Sequence, residues 1–582
     1  MGGSALDRIP GGYRLYAAGL TLWRRPGLEW RASPLNQLLL SYPQPDGLTA
    51  QPRDLRPADE EAGRRILAGG LVFGTETLAV GPRGDPWNRP APSRRFAVAL
   101  HQFGWLKDLI VHGDPGAWEG LRLTLAWRRL FGRWNRFSWD AVVIERRVFN
   151  LACAIAALSV PASDAEADQI AADLARQARY LLSLDEGPAR AAERAGAAAV
   201  AGSALGGSAG EQLLDRGLTR LARALPATVL PDGSHASRSP QAALELFFDL
   251  QTLDDALAQH GVHAPDEMMR ALDRLSGAVR FFTLNDRRLA ALQGGAALTG
   301  PYVAAARAGE DAADRAVPSL RGGYHRLEAR TLQVMVDAAA PAAGAWSEAA
   351  CAQPLAIEVL AGGKRLIVGA GWSPDGAGPQ ALRLVDAAST VSVSEAPCGA
   401  PLQGFVARAL GPRLRGGYAV EGVDRQVAHR GVWLQASHDG WVKRFGLRHD
   451  RRLYLDLEDD ELRGEEALVP LGRRGGAAGR RFAPFVVRFH LHPQVSALIA
   501  RDKTSVLLKV EGEAAGWWLR SDAQEATLEP AAHHEDGVSR HGQQIVLRGQ
   551  ARLDAGGKLR WKLSSALQSS SQSQVDAAEV TA

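Results

Sequence analysis

A polar turn in front of an apolar helix is the first place in this chain where side chains could do chemistry. Segment 231–250 reads PDGSHASRSPQAALELFFDL, a Pro-Asp-Gly turn followed by His235, Arg238 and a Ser239-Pro240 helix start. Unpaired backbone N–H groups and the helix dipole favour an anion at such a start. Because His exchanges protons near neutral pH and Arg pairs with carboxylates, His235 and Arg238 predict a site for an anion such as a sugar acid. An ordinary capped turn is the alternative.

A second candidate lies on an earlier helix, in the segment SWDAVVIERRVFNL. Neighbouring helical residues diverge by about 100°, so only one of Arg146 and Arg147 can face a cleft. Trp139 offers a flat ring on which a sugar could stack, although a core position explains a tryptophan equally well.

Further acid–base candidates lie in the last third of the chain. Tyr324 and His325 begin a strand in GGYHRLE, where a tyrosine can serve as base or acid with the histidine on the opposite strand face. His438 lies in SHDGW, which we interpret as a loop between strands that can reach a cleft. We expect His533 and His534, in the polar segment AAHHEDG, to be exposed to solvent.

Metal ligation is predicted at one place. His490 and His492 in FHLHP share one face of a strand, a spacing compatible with two metal ligands, and a buried hydrogen-bonded pair is the alternative. Cys153, Cys351 and Cys398 lie far apart, in no metal or redox spacing, and indicate no disulfide framework.

Composition limits the classes of protein to consider. The length of 582 residues predicts about two to three domains. An apolar fraction of 46% with 23% charged residues is typical of a soluble globular protein, and a net charge of +4 gives no support to nucleic-acid binding. The N-terminus lacks the pattern of a signal peptide, and no apolar run approaches the roughly 18 residues of a membrane span.

The hydrophobic period changes along the chain and predicts two halves. Residues 95–318 contain seven segments with apolar residues three and four apart, which predict a ring of helical hairpins or a solenoid; residues 193–210 are either a flexible bridge or a tightly packed helix. Residues 319–566 contain at least nine segments of period two, with a hairpin signal in AGGK, and predict an antiparallel β-sandwich. Residues 1–94 fit neither pattern and are predicted to be irregular, and residues 567–582 are predicted to be disordered.

Six segments, taken in order, resemble the heparinase II/III-like family in its alphaproteobacterial form. They are WNRFSWDAVVIERRVFNL, LPDGSHASRSPQAALELFFDL, GGYHRLEARTLQVMVD, ASHDGWVKRFGLRHDRRLYLDLEDDELRGEEAL, VRFHLHPQVSALIARDKTSVLLKV and QQIVLRG, and the resemblance covers roughly residues 60–550. It implies an incomplete (α/α) toroid followed by a β-sandwich, with an acidic, uronate-containing polysaccharide bound in the cleft between them. It also implies no required cofactor, a possible structural metal and a periplasmic location, whereas the N-terminus predicts the cytoplasm. The oligomeric state stays open.

The resemblance implies cleavage of a carbon–oxygen bond by β-elimination. Such a lyase needs a group that neutralises the uronate carboxylate, a base for the C5 proton and an acid for the leaving oxygen. On this hypothesis His235 and Arg238 hold the carboxylate, and Tyr324, His325 and His438 share the acid–base work. The predicted substrate contacts are Arg238, Trp139, Arg146, Arg147 and Gln241.

Several positions depart from the family pattern. Residues 241–243 are Gln-Ala-Ala where related lyases carry a Tyr-His or Asn-His pair, Cys351 and Ala388 stand where histidines are usual, and residues 265–290 contain no tyrosine. The leading hypothesis is a polysaccharide lyase. The alternative is a catalytically degenerate polysaccharide-binding protein of the same fold, and a hydrolase comes third.

Overall fold

The computed structural model describes residues 12–308, 317–373, 380–472 and 481–566. The chain forms a helical half followed by a half of antiparallel sheets. The predicted disordered tail, residues 567–582, lies outside the described residues.

Residues 12–93 contain three helices and a two-stranded sheet joined by loops, which corrects the prediction that this segment is irregular. Helices α2 and α3 begin at side-chain caps, Ser33 and Asp59, whereas α1 carries Pro26 inside it and exposes much of its apolar surface, so its pattern does not read as a core-facing helix. The elements are α1 Gly12–Ala32, α2 Pro34–Leu40, α3 Glu60–Leu67, β1 Gly70–Phe73 and β2 Glu76–Ala79.

The helical half packs around one large hydrophobic core. In the described residues no helix is both long and apolar enough to span a bilayer. The helices are α4 Arg94–His101, α5 Leu106–Ile110, α6 Asp114–Phe131, α7 Ala141–Ser159, α8 Asp164–Ser183, α9 Ala191–Ala204, α10 Gly207–Thr228, α11 Pro240–Gln259, α12 Asp266–Phe282 and α13 Gly300–Ala306.

The small-residue segment at 193–210 forms a buried helix and not a flexible bridge. All but the first residue of α9 is buried, and α9 packs against α7, α8, α10 and α11. Alanine and glycine let these backbones approach closely: a Cβ on Gly217 of α10 would lie 2.8 Å from the backbone nitrogen of Ala199. Small side chains therefore set the spacing at the centre of the ring.

The segment SRRFAVALHQFGWLKDLIVHG, residues 93–113, has the apolar spacing of a single helix but forms two, α4 and α5. Phe103 between them has φ of 62°, in the left-handed region that a helix interior excludes. Its ring is fully buried among aromatic neighbours, so core packing outweighs helix continuity here.

The second half contains two large antiparallel sheets, of eight and nine strands, around a second hydrophobic core, and a separate two-stranded one. The AGGK hairpin is confirmed, with Ala361 paired to Lys364. The elements are β3 Leu320–Arg321, β4 Tyr324–Glu328, β5 Leu332–Asp337, β6 Ile357–Ala361, β7 Lys364–Val368, β8 Val391–Val393, β9 Gly399–Pro401, α14 Gly404–Leu410, β10 Leu414–Gly416, β11 Val420–Ala428, β12 Gly431–His438, α15 Val442–Phe445, β13 Leu447–Asp456, β14 Glu461–Pro470, β15 Phe482–Leu491, β16 Val495–Ile499, β17 Ser505–Val510, β18 Gly516–Ser521, β19 Ala526–Glu535, β20 Val538–Arg552 and β21 Gly557–Ser565.

The eight-stranded sheet has the order β11-β12-β13-β14-β21-β18-β17-β16. The nine-stranded sheet runs β19-β20-β15-β7-β6-β5-β4-β3, with β8 on β15. Alternate apolar side chains point between the two sheets, as a sandwich requires. The predicted fold class, an incomplete (α/α) toroid followed by an antiparallel β-sandwich, is confirmed.

Candidate functional site at the junction of the halves

The turn at 231–239 touches the first strands of the sandwich. Asp232 accepts hydrogen bonds from the Ser234 N–H at 3.0 Å and, across the junction, from the Gly322 N–H at 2.6 Å. Ser239 caps α11 by accepting from the Ala242 N–H at 3.4 Å, as its position predicted. The turn is therefore a capped helix start that also ties the two halves together.

Arg238 is held by sandwich groups and not left free for a ligand. Its guanidinium pairs with the buried Asp337 carboxylate and donates to the Ala340 carbonyl at 2.9 Å, and it lies 4.6 Å above the Tyr324 ring centre. Burial alone would lower the pKa of Arg238, but Asp337 outweighs it and raises that pKa. Gln293 donates to the second oxygen of Asp337 at 2.8 Å. The sequence predicted that Arg238 binds the carboxylate of a substrate, but in this buried network its positive charge is paired with Asp337.

His235 faces a carboxylate of the protein itself. Its Nδ1 accepts from the Ser237 N–H at 3.2 Å, so Nε2 carries the proton; Nε2 lies 3.7 Å from Glu193 and is buried without a hydrogen-bond partner. The ring of Trp346 packs edge-on against the imidazole at 5.6 Å between ring centres. Burial alone would raise the pKa of Glu193, but Arg190 and His235 outweigh it and hold that pKa at about 2. A carboxylate of the protein therefore lies where an anion was expected to bind.

Tyr324 and His325 lie on β4 and are both buried. Tyr324 has no exposed surface, its hydroxyl donates to the Arg238 carbonyl at 2.8 Å, and burial raises its pKa well above the usual value. Burial, and then Arg425, lower the pKa of His325 to about 4. Neither side chain offers an acid or base to a ligand in solution.

His438 is at the end of β12 and not on a loop, which corrects the prediction that it reaches a cleft. Its Nδ1 accepts from the Gly440 N–H at 3.1 Å, so Nε2 donates to His449 at 3.0 Å, and His449 donates to Glu466 at 2.8 Å. Burial, and then His449, hold the pKa of His438 well below its usual value. The chain of bonds runs inside the sandwich and ends on the Glu466–Arg451 ion pair.

The helix-borne candidates Arg146 and Arg147 diverge as expected, but neither faces a free cleft. Arg147 is fully buried and donates to Gln177 at 2.6 Å, and burial lowers its pKa to about 9. Arg146 is partly exposed and pairs with Asp249 through both carboxylate oxygens, at 2.8 and 2.9 Å.

Trp139 and Gln241 both make contacts within the protein, and the burial of Trp139 contradicts its predicted contact with substrate. Trp139 is 1% exposed and meets Tyr180 edge-on at 5.0 Å, which is a core position. Gln241 accepts from the Ala296 N–H at 2.9 Å and so fixes the loop after α12. Cys351, at a usual histidine position, is buried beside Gln293, and burial raises its pKa to about 12.

The predicted metal pair is replaced by a different cluster. His490 bonds to the Asp386 carbonyl at 2.9 Å and does not join His492. Instead His492, His533 and Glu535 place one ligand atom each within 4.8 Å of one another, and all three are buried. His533 was expected to be exposed; its segment is in fact strand β19.

The cluster has one donor poised for a cation. His533 Nδ1 donates to the Gly369 carbonyl at 2.9 Å, so the lone pair is on Nε2, which is buried without a hydrogen-bond partner. His492 Nε2 lies 3.4 Å from Glu535, whose other oxygen is 3.3 Å from Arg288. Two histidines and a carboxylate fit the donor set that zinc takes, although Arg288 already neutralises part of the charge.

The partners of the candidate side chains, rather than the candidates themselves, could not be found from the sequence. Glu193, Gln293, Asp337 and Glu466 decide what the histidines and arginines do, and none stands in a recognisable motif. The cluster at β19 did carry a signal: His533 and Glu535 are two residues apart and share a face once HHED is recognised as a strand.

The fold and junction define a class of protein. The family described as "Heparinase II/III-like, C-terminal" matches residues 314–575. The chain belongs to the heparinase II/III-like family. A curated relative, "FtsZ-localized protein C" of Caulobacter vibrioides (strain NA1000 / CB15N), is 49% identical over 541 residues, which cover 92% of this chain and 94% of the relative.

Solved structures share the architecture of both halves. Heparinase III superposes with a TM-score of 0.69 at 13% identity, covering 94% of this chain and 91% of that chain. The heparan sulfate lyase HepC from Pedobacter heparinus gives a TM-score of 0.54 at 13% identity, covering 91% and 87%. At this identity the likeness shows the fold and not the activity.

Proposed function

We propose that this protein keeps the heparinase II/III-like fold without its lyase chemistry and acts by binding, in association with FtsZ. The observation that carries the proposal is that the acid–base candidates lie inside the protein. Tyr324 and His438 have no exposed surface, and His325 is nearly as buried. Elimination needs a base and an acid that both reach one bound sugar.

The contacts of Arg238 and His235, the residues predicted to hold the uronate carboxylate, support the same proposal. Arg238 is paired with the buried Asp337, and Glu193 is paired with Arg190 and lies 3.7 Å from His235, so a uronate would have to compete with carboxylates of the protein. Exchanging one carboxylate for another gains little, while leaving Asp337 buried and unpaired costs about 3–5 kcal/mol. We therefore infer that the turn connects the two halves of the protein and does not bind a substrate carboxylate.

The partner is proposed from the relative. The Caulobacter vibrioides protein carries the name FtsZ-localized protein C, and we extend an association with FtsZ to this chain on the strength of 49% identity over most of both chains. We therefore expect the purified full-length chain to pellet with polymerised Caulobacter vibrioides FtsZ and to stay in the supernatant without it. Absence of the chain from the FtsZ pellet, at protein concentrations in the micromolar range, would refute the association.

The lyase is the second candidate, since heparinase III and HepC share the fold. A lyase leaves an unsaturated uronate that absorbs in the ultraviolet, a hydrolase leaves only new reducing ends, and a degenerate polysaccharide-binding protein leaves neither but retains the polymer. Incubation with a panel of uronate polymers, read by absorbance, reducing ends and co-elution, separates the three.

We also infer that His492, His533 and Glu535 hold a structural zinc ion. The support is the buried, unpaired Nε2 of His533 and its fixed tautomer. Bound zinc would supply a cross-link between β15 and β19 and no step of a reaction. After loading and dialysis, we expect about one zinc per chain by mass spectrometry and a raised Tm, both lost in His533→Ala and kept in the exposed His541→Ala. Equal zinc in both variants would refute the site.

A further inference from the structure

Three arginines follow one face of α10. Arg216, Arg220 and Arg223 stand at positions i, i+4 and i+7, so they form a single stripe along the helix. Arg179 of α8 lies across from them. Burial, and then the nearby charge of Arg216, lower the pKa of Arg179. Four like charges therefore share one locality.

The stripe forms the wall of a groove, which we call the arginine groove. It lies between α2, α8 and α10, has a volume of about 650 Å³, and is lined by all four arginines. Its lip is apolar, because Leu39 and Tyr42 are 58% and 61% exposed beside it. Apolar side chains exposed together beside a basic groove are typical of an interaction surface.

The charge in the groove is not balanced by the protein. Arg179 donates to the Leu40 and Pro43 carbonyls, and Arg220 donates to the Leu182 carbonyl. Among the described residues none of the four arginines forms an ion pair with a carboxylate, and Asp215 is the acidic residue among those that line the groove. The groove therefore attracts a ligand that brings several negative charges.

The shape and lip favour a peptide over a bilayer. Helices border the groove on its sides, so a peptide segment fits between them and presents side chains to both the basic wall and the apolar lip. We propose that the arginine groove binds a segment of FtsZ that combines acidic and apolar side chains. This inference rests on the proposed association with FtsZ and names the surface that performs it.

The test compares two charge-reversed variants of the full-length chain in the FtsZ pelleting assay. Arg216→Glu/Arg223→Glu alters the groove, and Arg501→Glu/Arg540→Glu makes the same change in charge at exposed positions of the sandwich. We expect the groove variant to bind at least about tenfold more weakly and the control variant to bind as wild type does. Wild-type binding should also weaken with salt and be displaced by poly-L-glutamate.

The outcomes separate the groove from the association itself. If wild type and both variants pellet equally, the association stands and the groove proposal is wrong. If wild type does not pellet, both fail. If the groove variant pellets normally but loses binding to phosphatidylglycerol vesicles that wild type shows, the arginines serve a lipid headgroup and the peptide proposal is overturned. Tyr42→Ser, an exposed change in the lip, is expected to weaken FtsZ binding without altering its salt dependence.

Discussion

Among single residues, Arg238 shows most clearly how the setting of a side chain decides its role. Its type and place suggested an anion clamp, yet its anion is Asp337, which lies 99 positions away in the chain. Arg238 also has φ of 64°, so the turn is bent into the left-handed region to deliver the guanidinium to its partner. The residue joins the two halves of the molecule.

Replacing Arg238 with Met is expected to lower the free energy of unfolding by about 3–5 kcal/mol, because Asp337 would remain buried without a counter-charge. Urea denaturation measures the loss. In Arg238→Met/Asp337→Leu both charges are absent, so most of the stability should return. If the double variant is as unstable as the single one, packing and not charge holds the joint.

At the scale of elements, much of the architecture follows from the hydrophobic period. Helices such as α8 and α11 form where apolar residues recur three and four positions apart. Strands such as β13 and β15 form where apolar and polar residues alternate. The pattern is ambiguous for α9, because alanine and glycine suit both a linker and a buried helix. It does not predict α1, because the apolar residues of that helix are largely exposed and do not follow a core-facing pattern. The partners at the junction could not be predicted, because side-chain pairs 99 positions apart depend on how the halves dock.

The α9–α10 contact gives a prediction with a matched control. In Gly217→Val, the new side chain would overlap Ala199, so we expect a loss of about 1–3 kcal/mol in the free energy of unfolding. A Cβ at Gly196 of α9 meets nothing within 4 Å, so Gly196→Ala should be neutral or stabilise the protein by up to about 1 kcal/mol. Thermal or urea unfolding distinguishes the two. A stable Gly217→Val would mean that the two helices can separate freely.

For the whole molecule, buried histidines couple folding to acidity. Burial, and then Arg147, lower the pKa of His101 to about 3, and burial lowers that of His325 to about 4. In the unfolded chain these histidines have their ordinary pKa of 6.5. Below pH 6.5 the unfolded state therefore binds more protons than the folded state, and the free energy of unfolding decreases as the pH decreases.

A single replacement measures this linkage. Between pH 6.5 and about 4, the free energy of unfolding of His325→Gln should fall less steeply with decreasing pH than that of wild type. The difference between the two slopes should correspond to at most about one proton bound on unfolding. His541→Gln, at an exposed position, should leave the slope unchanged. Parallel slopes for wild type and His325→Gln would show that His325 takes up its proton in the folded state as readily as in the unfolded one.

The molecule as a whole combines the fold of a polysaccharide lyase with a junction at which Arg238 is paired with Asp337 inside the protein. That combination makes binding, and not elimination, the proposed role, and the 49% identical relative supplies FtsZ as the proposed partner. The arginine groove, whose α10 arginines recur at helical spacing in DRGLTRLAR, is the surface proposed to bind FtsZ.

The most direct test of the lost lyase chemistry is the ultraviolet absorbance of unsaturated uronate, followed while concentrated wild-type protein is incubated with heparan sulfate and other uronate polymers. Heparinase III serves as the positive control. The account predicts a flat trace for every polymer, with or without added zinc. A rise in absorbance that scales with protein concentration and disappears in His235→Ala would contradict it, and would return the turn at 231–239 to the catalytic role that its residue types first suggested.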